Sequence, residues 1–170
     1  HHAIEDLAVM RSLPNMTILC LADPIETGLA VKAMFKLKGP VYLRLGKSKE
    51  ENIYLKLFEF KVGKANLIKN GKDITIIGIG PILKNAVLAA EILEKQYNIS
   101  FRIISMTTLK PIDKNIVLKS AKETKVIFTI EEHSLVGGLG SAVAEILSES
   151  KNKVLFRRIS LPDEFCKEVG

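Results

Sequence analysis

Residues 125–150 read as a strand, a glycine turn and a helix. Lys125 to Ile130 is a short β-branched and aromatic run of the kind buried in a sheet, and Ser141 to Ser150 carries Ala142, Ala144, Ile146 and Leu147 at positions that suit a helix. Between them stands Glu131-Glu132-His133-Ser134-Leu135-Val136-Gly137-Gly138-Leu139-Gly140, in which Gly137, Gly138 and Gly140 allow positive φ and close packing of helix on sheet. The acidic pair and His133 fall at the carboxyl end of the strand, where open α/β sheets place their ligands. A helix N-terminus after a glycine turn attracts anions. A dinucleotide fingerprint starting at Gly138 would nevertheless need Gly or Ala at position 143, which is Val143, and the next strand ends in Leu161-Pro162 with no acidic residue. A structural turn, or one serving a subunit contact, is the better reading.

The rest of the second half repeats the alternation of strand and helix. Strands are expected over 65–69, 73–79, 100–105 and 153–161, and helices from Gly80-Pro81 to about Tyr97 and over 111–124. Such alternation implies a mostly parallel sheet with right-handed crossovers. Asn70-Gly71 between the first two strands is a strong hairpin signal and would add an antiparallel edge.

The first half holds fewer elements. Ile4, Leu7, Ala8 and Arg11 lie at helical spacing over 2–13, with Glu5 and Asp6 in the first turn, and Pro14-Asn15 stops that helix. Met16 to Ala22 is apolar except for Thr17, as in a strand covered on both faces. Asp23-Pro24-Ile25-Glu26 is a dense helix start, with a cap, Pro at the first helical position and a carboxylate three residues after the cap. That helix ends before Gly39-Pro40, and Val41 to Leu45 is a strand that delivers Arg44 to its end. The polar stretch from Gly46 to Asn52 reads as the start of a linker. The expected division is therefore 1–46, a linker over 47–60, and a second unit over 61–170. Strand, helix and strand are too little for a complete α/β unit, and the chain opens on His1-His2 without Met. It is expected to be a piece of something longer, unless His1 and His2 are the remnant of a purification tag.

Composition narrows the function classes. With 47% hydrophobic residues the 170-residue chain can bury a sizeable core, and its net charge of +6 comes from scattered lysines. No basic run is interleaved with aromatics, which argues against nucleic acid as partner, while an anionic substrate fits. No apolar run has the length of a membrane span. Cys20 and Cys166 match no metal-ligand spacing and read as reduced thiols of a cytoplasmic protein. No nucleophile, base and acid can be assembled from neighbours. Arg44 is a plausible clamp for a phosphate or carboxylate, the bland alternative being an arginine paired with a carboxylate at a domain edge. Glu131 and Glu132 could form an acid–base pair, or cap the next helix.

Five segments together carry more than any one of them. His1-His2-Ala3-Ile4-Glu5-Asp6-Leu7-Ala8-Val9-Met10-Arg11-Ser12-Leu13-Pro14-Asn15, Ala22-Asp23-Pro24-Ile25-Glu26, Gly39-Pro40-Val41-Tyr42-Leu43-Arg44, Glu131-Glu132-His133 and Gly137-Gly138-Leu139-Gly140-Ser141-Ala142 occur in the order and at the spacing of transketolases. The chain resembles the carboxyl-terminal subunit of the split transketolases. The resemblance implies an α/β chain holding the last part of a pyrimidine-binding domain, then a transketolase C-terminal-type domain with a mostly parallel, mixed five-stranded sheet and flanking helices.

The resemblance also implies a function. Transketolases move a two-carbon ketol unit between ketose and aldose phosphates through thiamine diphosphate, whose ylide adds to the ketose carbonyl while the protein orients and protonates. His1 matches the histidine that hydrogen-bonds the donor near the reacting carbon, and Arg44 matches the arginine that binds the terminal phosphate of the substrate. The groups that activate the cofactor, and those that hold its diphosphate with a divalent cation (Mg or Ca), are expected upstream of His1 or on a partner. That partner is an N-terminal transketolase subunit or a second copy, so this chain alone is expected to bind no cofactor and to be inactive. His133 is expected to serve at a surface or interface without catalytic duty. Deoxyxylulose-phosphate synthase, the beta subunit of a 2-oxo acid dehydrogenase, and a non-catalytic dimerisation module are the alternatives.

Overall fold

The computed structural model describes residues 3–47 and 50–164. His1, His2 and Cys166 lie outside the described residues.

The first segment opens with helix α1 (Asp6–Ser12), shorter than its periodicity suggests. It leads to strand β1 (Thr17–Cys20), helix α2 (Pro24–Met34) and strand β2 (Val41–Arg44). β1 and β2 run parallel, with Cys20 opposite Arg44 in the register. The start of α2 forms as its residues dictate: the Asp23 carboxylate accepts from the Glu26 N–H at 2.7 Å, and Pro24 occupies the first turn, where a missing N–H costs nothing.

The second segment supplies β3 (Asn66–Lys69), β4 (Ile74–Ile79), helix α3 (Leu83–Tyr97), β5 (Phe101–Ser105) and β6 (Thr108–Lys110). Helix α4 (Lys114–Glu123), β7 (Val126–Ser134), helix α5 (Leu139–Ser148) and β8 (Leu155–Leu161) follow. Five of these strands form one mixed sheet in the order β3-β5-β4-β7-β8, parallel throughout except for the antiparallel β3 at its edge. This is the mostly parallel, five-stranded α/β sheet that the alternation of elements implies.

Three details depart from expectation. The Asn70-Gly71 hairpin does not form, because β5 lies between β3 and β4. A Cβ on Gly71 would fall on the carbonyl carbon of Phe101, so the glycine there serves the close passage of β5's backbone and not a two-residue turn. The strand before the glycine turn runs on to Ser134, which puts Glu131, Glu132 and His133 inside it. Finally β6, only three residues long, leaves the second segment to pair antiparallel with β1, completing a second sheet in the order β2-β1-β6.

The two segments share one core. Leu7, Ile18 and Cys20 from the first pack in the same buried cluster as Ile77, Ile104, Met106, Ile127, Leu139 and Val143 from the second. What lies between the segments is therefore a packed surface, and a cleft opens along its edge.

Candidate functional site

Parallel strands release their carboxyl ends on one side of a sheet, and two such ends meet here. Arg44 closes β2, and Ile79 closes β4 with Gly80-Pro81 after it; both strand ends line a cleft of about 670 Å³ together with Asp6, Tyr42, Lys47 and Glu132. Arg44 sits at its wall with a fifth of its side chain exposed. Its Nε lies 3.3 Å from Oδ2 of Asp6, and its Nη2 donates at 3.0 Å to the carbonyl oxygens of both Ala3 and Glu132. The guanidinium is thus held in plane by one carboxylate and two carbonyls drawn from three parts of the chain, which fixes the direction of its fork at the wall of the cleft.

Asp6 does more than complement a helix dipole. Besides Arg44, its Oδ2 accepts from the Tyr42 hydroxyl at 2.7 Å. Burial, and then the bond to Asp6, push the Tyr42 hydroxyl up to about 12, so it remains a donor through the physiological range. Behind Arg44, burial pushes the Cys20 thiol from 9.0 up to about 12 against the opposing pull of Arg44, which makes it a neutral packing group. Cys20 is a free, buried cysteine.

The strand end with the acidic pair behaves differently from an acid–base site. Neighbouring residues of a strand face opposite sides, so Glu131 is buried and Glu132 exposed. The Glu131 carboxylate accepts from the N–H groups of Leu139 and Gly140 at 2.6 and 2.7 Å, capping α5. The anion that a helix N-terminus attracts is thus supplied by the chain itself, and the glycine turn needs no phosphate to satisfy it. Burial pushes the Glu131 carboxyl above its ordinary value, opposed by those two N–H donors.

His133, expected at a surface or an interface, lies where β7 meets α1. It is fully buried, with Nδ1 2.8 Å from the Ser134 carbonyl and Nε2 accepting from the Ala8 N–H at 3.3 Å. Its isolation in the sequence gave no hint of burial.

Of the two site residues read from the sequence, Arg44 lies in the cleft and His1 lies outside the described residues. Arg44 also meets the bland alternative, since it is paired with a carboxylate; both descriptions hold at once. Asp6 and Tyr42 were missed as members of the site. A signal existed only for Tyr42, which lies two residues before Arg44 and so on the same face of β2.

Residues 63–168 match the family model described as transketolase, C-terminal domain, and residues 1–51 match that of the transketolase pyrimidine binding domain. The chain belongs to the transketolase family. Among curated relatives, one of the subunits of an apulose-4-phosphate transketolase from Phocaeicola vulgatus is 41% identical over 96% of this chain and 52% of its own length. A putative transketolase C-terminal section of Methanocaldococcus jannaschii is 40% identical over 97% of this chain and 52% of its own length. The 1-deoxy-D-xylulose-5-phosphate synthase of Desulfitobacterium hafniense is 36% identical over 99% of this chain and 27% of its own. A solved split-gene transketolase, described as an inactive beta4 tetramer, superposes with a TM-score of 0.89 at 42% identity, covering 95% of this chain and 53% of that one. The transketolase-family chain thus spans about half the length of the first two of these relatives. Membership in the family implies dependence on thiamine diphosphate. Among the described residues no group of three His, Cys, Asp or Glu side chains could hold a metal ion. The wall of the cleft offers the Arg44 guanidinium, a group whose planar fork suits an anion.

Proposed function

We propose that this chain is the carboxyl-terminal part of a two-part transketolase that transfers a two-carbon ketol unit between sugar phosphates, with Arg44 receiving the terminal phosphate. The observation that carries this reading is the placement of Arg44: a guanidinium held in plane by Asp6, at the end of a parallel strand, on the wall of a cleft of about 670 Å³. A relative named as a transketolase subunit, matched over half its length, supports the division of labour. The partner is an N-terminal transketolase subunit or a second chain of the same kind. It contributes the thiamine diphosphate site and its divalent cation, and when bound the cofactor supplies the carbanion chemistry. His1 contacts the donor sugar near its reacting carbon. Residues 1–46 form the end of the pyrimidine-binding unit, 47–60 a connection, and 61–170 the carboxyl-terminal domain. No helix among the described residues is long and apolar enough to cross a membrane, and we assign the protein to the cytoplasm on its free, buried Cys20.

The test is reconstitution. The chain alone should show no turnover, and the chain with its N-terminal partner should convert xylulose 5-phosphate and ribose 5-phosphate. Arg44→Ala in the assembled enzyme should raise KM for phosphorylated substrates by about a hundredfold, as loss of a charge-assisted contact does, while leaving non-phosphorylated acceptors little changed. Turnover by the chain alone, or equal effects on both substrate classes, would overturn the reading. A second reading is favoured by the match to deoxyxylulose-phosphate synthases over nearly the whole chain. Consumption of pyruvate with glyceraldehyde 3-phosphate by the same assembly would establish it.

A further inference from the structure

Helix α1 is a weak helix in a demanding place. It has seven residues and no side-chain cap at its N-terminus, and a helix so short has little stability of its own. Yet its entry lies beside Arg44, since Ala3 ahead of it gives its carbonyl to the guanidinium and Asp6, its first residue, gives its carboxylate. Something else has to fix it.

The fixing groups come from the far end of the chain. One of α1's orphan donors, the Ala8 N–H, points at Nε2 of His133 at 3.3 Å. The Nδ1 of His133 lies 2.8 Å from the Ser134 carbonyl, which assigns the proton to Nδ1 and leaves Nε2 as the acceptor. One residue on, the Ser134 N–H donates to the Ile4 carbonyl at 2.6 Å. The glycine turn completes the seat. Gly137, at φ 82°, lies so close to Ala8 that a Cβ would overlap the alanine methyl, and its carbonyl accepts from Arg11 at 2.8 Å. A Cβ on Gly138 would stand 2.7 Å from Nδ1 of His133. An apolar residue would fill the position of His133 as well, but would leave the partly buried Ala8 N–H without an acceptor.

We propose that His133 and the Gly137-Gly138 turn form a dock that holds α1, and through it the residues from Ala3 to Asp6, in the position that substrate binding requires. His133 is then a positioning residue that touches no substrate and acts through the Ala8 N–H. The inference rests on the proposed sugar-phosphate site for its functional consequence, while the dock itself can be measured without any activity.

The experiment compares the full chain, assembled with its N-terminal partner, as wild type, His133→Phe, His133→Gln, Gly137→Ala, and Gly137→Ala combined with Ala8→Gly. Two quantities are read: amide hydrogen exchange over residues 3–12, and KM and kcat for the donor xylulose 5-phosphate. His133→Phe should speed exchange over residues 3–12 and raise KM, each by about tenfold, the size of one lost hydrogen bond, with a smaller change in kcat. His133→Gln keeps an acceptor and should move both back toward wild type. Gly137→Ala should act like His133→Phe, and Ala8→Gly should recover part of the loss by removing the overlapping methyl. A lowered melting temperature in His133→Phe with unchanged exchange and unchanged KM would overturn the proposal. Should His133→Phe fail to fold, the glycine pair decides, and absence of recovery overturns it. Wild-type assembly without transferase activity would instead defeat the functional reading, leaving exchange over residues 3–12 to judge the dock.

Discussion

The Ser105 hydroxyl at the end of β5 donates a 2.6 Å hydrogen bond to the Glu26 carboxylate in the first turn of α2, joining residues 79 apart in the chain. Glu26 is fully buried, and it also accepts from the Ala22 N–H at 2.7 Å and the Tyr54 hydroxyl at 2.8 Å. One carboxylate therefore ties the first segment, the connection and the five-stranded sheet together. Asp23 adds to this knot, its Oδ2 accepting from the N–H groups of Ile53 and Tyr54 at 2.9 and 3.2 Å.

Removing that carboxylate should be costly. Glu26→Ala strands three donors in a buried place, and an expected loss of about 2–4 kcal/mol follows from unsatisfied buried groups. The pH dependence has a definite sign. Burial raises the Glu26 carboxyl above its ordinary 4.5, against the pull of its hydrogen-bond donors. A raised acid stabilises the fold fully below that ordinary value and loses its contribution as pH rises through the folded value. The stability of wild type relative to the non-titrating Glu26→Gln should therefore fall as pH increases upward from 4.5. Urea denaturation of both proteins across that range checks it, and a difference that grew with pH would contradict it.

Asp73 should show the opposite slope. The Lys125 ammonium at 2.9 Å, then the Ser100 N–H and hydroxyl, hold its carboxyl down from 3.8 to about 2. A lowered acid contributes above its unfolded value and loses that contribution as pH falls through the folded one. Stability should therefore decline between 3.8 and about 2 by more in wild type than in Asp73→Asn. Acid titration followed by circular dichroism distinguishes the two. High salt should shrink the difference, because the pair is exposed.

Cys20 should be chemically silent in the folded protein. Burial pushes its thiol up to about 12, so almost no thiolate exists at neutral pH. Iodoacetamide at about pH 8 should leave Cys20 unmodified in native protein and alkylate it fully in denaturant, with peptide mapping used to separate it from Cys166. Alkylation of native Cys20 at the rate of a free thiol would show that the wall behind Arg44 opens.

The fold was legible where one element's own residues decide it. Met16 to Ala22 announces a strand covered on both faces, and Asp23-Pro24 announces a helix start; β1 and α2 sit there. Relationships between distant elements were not legible. The carbonyl partners of Arg44 lie 41 and 88 residues away, at Ala3 and Glu132, and no local pattern encodes such pairings. The three residues of β6 are too few to show a period. Glu131 shows the intermediate case: helix capping was an open alternative from the sequence, but only the fold shows that this carboxylate fills the anion seat of α5. Arg44 itself was found through the resemblance of whole segments, since as a lone arginine it was better explained as half of an ion pair.

Gly71 separates the two readings of Asn70-Gly71 by experiment. In a two-residue hairpin turn a glycine serves to adopt positive φ, and its replacement by alanine costs about 1 kcal/mol of backbone strain. Here Gly71 is not at positive φ, and the constraint is instead the passage of β5. A Cβ at this position would fall on the Phe101 carbonyl and on the Arg102 N–H, main-chain groups of β5 residues that stand in register with Ile74 and Thr75 of β4. Backbone in mid-sheet cannot step aside as a flexible side chain can, so overlap there displaces the start of β5 and with it the pairing to β3 and β4. Gly71→Ala should consequently lose about 2–4 kcal/mol, beyond the cost of a turn. The loss should appear as faster amide exchange in β5, whereas Asn70→Ala, which leaves that close approach untouched, should cost well under half as much. Equal and small effects of the two substitutions would return the site to an ordinary turn.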